Sequence, residues 1–235
     1  MIDTPAPKTV LLIGASRGLG LAMAEGYLRR GWRVIATERA GAPSAALHHL
    51  VTAHPQALRI EHVDITDPAQ LVALRARLHG EVLDLLFVNA GVKNDDRETV
   101  ANVATDEFVR VMVTNALSPM RAIETLRDLV RGTGTIGVMS SGQGSIANNT
   151  NGQYEIYRSS KAALNMLMRS FAARHRDSAH TLLLMAPGWV RTDMGGPHAR
   201  LSIDDSIPPL LDTIDTAHGR GGLHYLDYLG RVVPW

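Results

Sequence analysis

Lys8-Thr-Val-Leu-Leu-Ile-Gly14-Ala-Ser-Arg-Gly18-Leu-Gly20 is the stretch on which the fold turns. Its first half is almost wholly apolar, as a strand buried on both faces must be, and it stops at a glycine. Leu21-Ala-Met-Ala-Glu-Gly-Tyr-Leu-Arg-Arg30 then runs at helical spacing and closes at Gly31. Strand, glycine turn and helix in that order let the backbone approach a pyrophosphate and hold its charge at the positive end of the helix. A plain tight turn explains the glycines less well, because the strand and the helix are both in place around them. Gly14, Ser16, Arg17, Gly18, Leu19 and Gly20 are therefore the first candidate contacts to a dinucleotide.

The same alternation continues outward. Strands are expected at 32–37, 58–63, 83–88, 134–139, 180–186 and 223–229, with helices between them at 41–54, 68–79, 106–131, 157–176 and 204–217. The helix over 106–131 should be interrupted near Ser118-Pro119, and Asn115 sits just before the break. Asparagine has poor helix propensity, so it answers to something other than local helix stability, such as a water or a backbone carbonyl at the bend. Alternating strands and helices imply an α/β chain: a single Rossmann-type doubly wound domain, with a central seven-stranded, mostly parallel sheet and helices on both faces.

Composition narrows the class. With 45% hydrophobic and 20% charged residues over 235 positions, the chain has material for one full core and is neither disordered nor collagen-like. Its net charge of +1 gives no electrostatic case for nucleic acid. Without cysteine there is no disulfide framework, thiolate nucleophile or cysteine-based metal site, and the ten scattered histidines include no metal-binding pair, so no metal is expected. The start of the chain, 1–8, lacks the pattern of a signal peptide, and no apolar run approaches the roughly 20 residues of a membrane span. A cytoplasmic protein with no membrane partner is the expectation.

The ends of the strands supply the chemistry. After the second strand, Glu38 can accept hydrogen bonds from a ribose 2′-hydroxyl, as in an NAD site, whereas Arg39 with Arg17 can pair with the 2′-phosphate of NADP. Either can equally be a surface charge. Asp67 before Pro68 reads as a helix cap, which leaves Asp64, beside Ile65, as the residue for the adenine. The fourth strand runs into Asn89-Ala90-Gly91, small enough for close approach to a ligand, and the fifth delivers Ser140 and Ser141. Tyr157 and Lys161 lie four residues apart and so share one helix face. A fixed positive charge beside a phenol favours the phenolate, so the spacing predicts a lowered Tyr157 pKa and a proton-transfer pair.

Taken together, these residues resemble the short-chain dehydrogenase/reductase superfamily, and the likeness covers nearly the whole chain. Gly14-x-x-x-Gly18-x-Gly20 is similar to its cofactor loop, Asn89-Ala90-Gly91 to its fourth-strand motif, and Asn115, Ser141, Tyr157 and Lys161 to its catalytic tetrad. Pro187, Gly188, Val190 and Thr192 match the segment that holds the nicotinamide carboxamide. The Asn-rich loop before Tyr157, the short substrate region and the Val-Pro-Trp ending look like the C-factor and sniffer-type carbonyl reductase branch. Two departures are Ile13, where the family usually has threonine, and Val88, where it usually has asparagine; Ile13 removes a hydrogen bond that would steady the loop.

The resemblance implies an NAD(P)-dependent oxidoreductase, NADP slightly favoured, that interconverts a small carbonyl and an alcohol. Tyr157 would be the acid and base, Ser141 would hold the substrate oxygen, Lys161 would hold the ribose, and Asn115 would position a water. Tyr154 is a decoy, since Arg158 occupies its i+4 position. The cofactor half would span about 1–131 and the catalytic and substrate half about 132–235. Gln143, Ile146, Tyr154, Trp189 and Met194 are expected pocket walls. A homodimer or homotetramer is expected because the Tyr157 helix carries small and apolar residues, Ala162, Ala163, Leu167 and Phe171, on more than one face. Two other readings are a dinucleotide-binding sensor of C-factor type and a methyltransferase; the latter would use the glycine loop but not Ser141, Tyr157 and Lys161 together.

Overall fold

A computed structural model describes residues 6–235; residues 1–5, which open the stretch read for a signal peptide, lie outside the described residues. In chain order the elements are β1 (Thr9–Ile13), α1 (Gly18–Arg29), β2 (Arg33–Glu38), α2 (Ala45–Ala53), β3 (Leu58–His62), α3 (Pro68–Arg77), β4 (Leu83–Val88) and α4 (Thr105–Met112). A π-turn at Val113–Leu117 leads into α5 (Ser118–Leu126), followed by β5 (Val130–Met139), α6 (Glu155–Arg174), β6 (Thr181–Ala186), α7 (Ile203–Ala217) and β7 (Gly222–Asp227). The seven strands form one sheet in the order β3-β2-β1-β4-β5-β6-β7, and every neighbouring pair is parallel.

Two apolar layers hold the helices to the sheet, and period-two alternation along β1 supplies both. Leu11 and Ile13 face the layer built with Leu71 and Leu74 of α3, Ile123 and Leu126 of α5, and Leu164, Met168 and Phe171 of α6. Val10 and Leu12 face the opposite layer, with Met23 and Tyr27 of α1, Leu47 of α2 and Leu210, Leu211 and Ile214 of α7. Helix starts follow local chemistry. Asp67 caps α3 through Ala69 N–H with Pro68 behind it, and Ser202 and Asp205 form a reciprocal capping box on α7.

The differences from the sequence pattern lie at boundaries. Strand β5 begins at Val130 and not at Gly134, because Val130 pairs with Leu83 ahead of a register shift. Helix α6 begins at Glu155, two residues before Tyr157. Among the described residues, no helix is long and apolar enough to cross a membrane. Strand order reverses between β1 and β4, so the crevice outside their carboxyl ends lies at the topological switch point, where open α/β sheets bind ligands.

Candidate active site

Three strands fix the glycine turn. Gly14 N–H donates to Thr37 Oγ1 at 3.0 Å, Asn89 Nδ2 donates to the Gly14 carbonyl at 2.8 Å, and Ala15 N–H donates to the Thr37 carbonyl at 2.8 Å. The hydrogen bond that Ile13 cannot supply is thus replaced from β2 and β4. A Cβ on Gly20 would lie 2.0 Å from the Gly14 carbonyl oxygen, so only glycine lets α1 start this close to β1. Arg17 gives α1 no side-chain cap, and the first turn carries no acid. The leading N–H groups of a helix have no intrahelical partner, so this end is open to an anion and a dinucleotide pyrophosphate fits it. Ser16 is half-buried in the turn, and Leu19 packs on the neighbouring core.

The opposite lip is the segment after β6. Thr192 lies 3.7 Å from the position a Cβ on Gly18 would take, and Thr192 Oγ1 accepts from Gly195 N–H. Arg17 reaches across to Asp193 at 2.9 Å, both side chains well exposed. Pro187 and Val190 are buried behind this lip, while Gly188 has a positive φ of 83° and leaves room for Leu201 and Tyr228.

At the ends of β2 and β3 the structure corrects the reading of Glu38. Its side chain is fully enclosed: Oε2 accepts from Ser44 N–H at 2.7 Å, and Oε1 is 2.7 Å from His48 Nε2 and 3.4 Å from His62 Nε2. Burial pushes its pKa up, but these partners outweigh it and hold the carboxyl below its usual range. Glu38 is an ionised acid enclosed by its own partners, not an exposed ribose acceptor. Arg39 is exposed and close enough to Asp64 to help lower that carboxyl, against burial and together with the Thr66 hydroxyl and N–H on Asp64 Oδ1. Ile65 contributes its side chain to the core rather than to the crevice.

Asn89, Ala90 and Gly91 lead from β4 toward four side chains from three elements: Asn115 of the π-turn, Ser141 after β5, and Tyr157 and Lys161 of α6. Asn115, fully buried in the π-turn, grips the Val92 backbone twice: Oδ1 accepts from Val92 N–H and Nδ2 donates to the Val92 carbonyl, both at 2.8 Å. Its amide also reaches Ser160 Oγ at 3.0 Å. Lys161, buried on α6, donates through Nζ to the Met139 carbonyl at 2.9 Å. A Cβ on Gly91 would lie 3.3 Å from Asn115 Oδ1 and 3.6 Å from Lys161 Nζ, so glycine keeps that meeting point open. Lys161 Nζ is 5.8 Å from the Tyr157 ring centre; Ser141 Oγ accepts from Gln143 N–H at 3.1 Å and is near enough to the Tyr157 phenol to lower its pKa.

Electrostatics at this point run opposite to the expectation from spacing. Tyr157 keeps part of its surface accessible, yet desolvation dominates and pushes its pKa up to about 12 against the lowering by Ser141. Lys161 is driven down to about 8 by burial. Spacing on a helix places the ammonium near the phenol, but both groups are taken out of water, and that cost falls on the charged form of each.

Residues outside the sequence motifs support this centre. Ser140 Oγ donates to Asn165 Oδ1 at 2.6 Å, Asn165 Nδ2 donates to the Gly144 carbonyl, and the Tyr225 hydroxyl donates to the Ser141 carbonyl. Asn165 lies four residues after Lys161, a spacing the sequence displays; Tyr225 on β7 carries no local signal. Tyr154 is the N-cap of α6 with φ 60°, under Lys93 Nζ at 4.6 Å, and Arg158 turns away to the Gln153 carbonyl. Ile146, Trp189 and Met194 are exposed on the loops that leave β5 and β6, with half-buried Gln143 on the first of these.

Comparison with known proteins fits this geometry. Residues 8–200 match the short chain dehydrogenase family. A Burkholderia multivorans protein described as a short-chain dehydrogenase/reductase, solved with NADP bound, is 59% identical, with 97% of this chain and 100% of that one covered and a TM-score of 0.96. A carbonyl reductase of Pseudomonas aeruginosa PAO1 in complex with NADP is 33% identical over 98% of this chain and 100% of its own, with a TM-score of 0.91. C-signal of Myxococcus xanthus is 37% identical over 155 residues, 65% of this chain and 93% of its own.

Proposed function

The chain belongs to the short-chain dehydrogenase family, in the branch with C-signal and the carbonyl reductases, and is an NAD(P)-dependent oxidoreductase; from that premise we propose that it reduces a carbonyl on a small substrate to the alcohol, with NADP favoured over NAD. The observation that carries this reading is the meeting of Ser141, Tyr157, Lys161 and Asn115 at the carboxyl edge of the sheet, with the phenol raised to about 12. When bound, the nicotinamide exchanges a hydride with the carbonyl carbon.

The chain supplies the rest. Ser141 orients the substrate oxygen, and Tyr157 is a protonated donor throughout the neutral range, which suits reduction. Lys161 holds the nicotinamide ribose, and Asn115 fixes the strand-end backbone at Val92 beside it. Gly14, Gly18 and Gly20 take the pyrophosphate, Asp64 the adenine, and Pro187 to Thr192 the carboxamide. Residues up to about 131 serve the cofactor and those from about 132 serve catalysis and substrate. Steady oxidation of NADPH by at least one member of a panel of small aldehydes, ketones and quinones at neutral pH is the expected result. A chain that binds NADPH but turns over none of them is a sensor, the second reading, which the likeness to C-signal favours.

We also propose a homodimer or homotetramer. Leu164, Met168 and Phe171 of α6 lie in the core, whereas Met166 and Leu167 of the same helix are 63% and 40% exposed, Leu167 sharing a surface groove with exposed Leu117. Such an apolar face calls for a partner, and a second copy supplies the same face. Light scattering at micromolar concentration is expected to give a multiple of the monomer mass; a monomer mass refutes the proposal.

A further inference from the structure

Glu38 ends β2, the position from which a dinucleotide fold addresses the adenosine ribose. An acid there, followed at once by an arginine, sends opposed signals, because a free carboxylate binds the hydroxyls of NAD and repels the extra phosphate of NADP. The fold removes the conflict by burying the acid. Leu47 of α2 is fully buried, which seats the first turn of that helix over the end of β2 and brings His48 onto Glu38 Oε1 at 2.7 Å. From the other side comes His62, the register partner of Glu38 on β3, with Nε2 3.4 Å from the same oxygen. Ser44, the cap of α2, takes the other oxygen through its N–H at 2.7 Å. Both histidine rings are about half exposed, so their position here is not dictated by packing. The His48 ring nitrogen, at hydrogen-bond distance from a carboxylate oxygen that can only accept, is its donor, and His62 stands at ion-pair distance from the same oxygen; among the described residues no group of three acids and histidines is arranged to hold a metal.

We propose that His48, assisted by His62, is a specificity-determining positioning residue: by holding the Glu38 carboxylate inside the protein it clears the end of β2 for the 2′-phosphate of NADP and leaves Arg39 to bind it. The inference rests on the dinucleotide-binding reading above. Without its histidine the carboxylate loses a partner that offsets its burial, and under the proposal it regains hydration by swinging out beside Arg39, the next and exposed residue. There it meets a ribose and not a phosphate. His48 thus works through Glu38 and touches no cofactor itself.

The test is fluorescence titration of the full chain with NADPH and NADH, alongside thermal melts. The wild type is expected to bind NADPH more tightly. His48→Leu should lower the ratio of the NADH to the NADPH dissociation constant by about tenfold or more, the shift expected when an attraction is removed and a repulsion is added. His48→Gln, which keeps an N–H donor, should retain the wild-type ratio, and His48→Leu with Glu38→Gln should restore NADPH binding to within about threefold, since the repelling charge is gone. General damage to α2 weakens both cofactors together and leaves the ratio where it was. An unchanged ratio in His48→Leu, or no recovery in the double variant, overturns the inference while a discriminating wild type leaves its premise standing. A wild-type chain that binds neither cofactor overturns the premise and the inference with it.

Discussion

Replacing Tyr157 with Phe is expected to abolish turnover, by about 10²–10⁴-fold on an identified carbonyl substrate, while cofactor affinity changes little. The substitution removes one oxygen. The ring keeps its packing on α6, and the Lys161 ammonium keeps its bond to the Met139 carbonyl. What is lost is the phenol proton that the proposed reduction needs beside Ser141. The pH profile offers a second check. With the phenol at about 12, phenolate is about one part in 10⁵ at pH 7, so reduction should be nearly flat through the neutral range and fall only as pH climbs toward that value. Oxidation needs the deprotonated form and should rise over the same range. Tyr154→Phe should be mild, because Tyr154 is the N-cap residue of α6, its side chain caps nothing, and Lys93 lies over its ring. Near-normal turnover in Tyr157→Phe, or greater damage from Tyr154→Phe, would show that the acid is another group.

Lys161→Ala should instead weaken cofactor binding and turnover together. The ammonium is buried and bonded to β5, and the geometry at Gly91 brings it beside Asn115. Hydrogen bonds to charged groups contribute about 1.5–3 kcal/mol, so loss of a ribose contact corresponds to roughly 10–100-fold in the NADPH dissociation constant. Stability should respond less than that. Removing a charge whose pKa burial has pushed down to about 8 relieves desolvation, and this offsets the orphaned Met139 carbonyl. Titration and single-turnover measurements on one preparation separate the two effects; intact cofactor affinity would confine Lys161 to the chemical step.

The alternation of strands, the glycine turn and the helix caps depend on contacts within a few residues, and for that reason β1, α1 and the Asp67 cap of α3 can be read from the chain directly. The sequence pattern foreshortens β5 because Arg131-Gly-Thr-Gly134 has the look of a turn, and only the pairing of Val130 with Leu83 across the sheet carries the strand back past it. In the site, i,i+4 spacing brought out Tyr157 and Lys161, but the direction of the Tyr157 shift depends on how much water the surrounding loops and β7 exclude. Glu38 is unreadable for a related reason: its partners are Ser44 and His48 from the start of α2 and His62 from the end of β3, and no local pattern announces that they converge. Tyr225, which steadies the Ser141 carbonyl from the last strand, is likewise visible only once β6 and β7 are side by side.

The π-turn at Val113–Leu117 has a consequence for descent. Each residue of an α-helix turns the chain by about 100°, so deleting one position here would let the helix run regularly and swing everything on one side of it by that angle. Asn115 would leave Val92, or Ile123 and Leu126 would leave the sheet. The exposed Asn-rich segment before α6 is expected to tolerate added or lost residues, as surface loops do. Through Val113–Leu117, by contrast, the geometry tolerates exchange of one side chain for another but not a change in the count of residues.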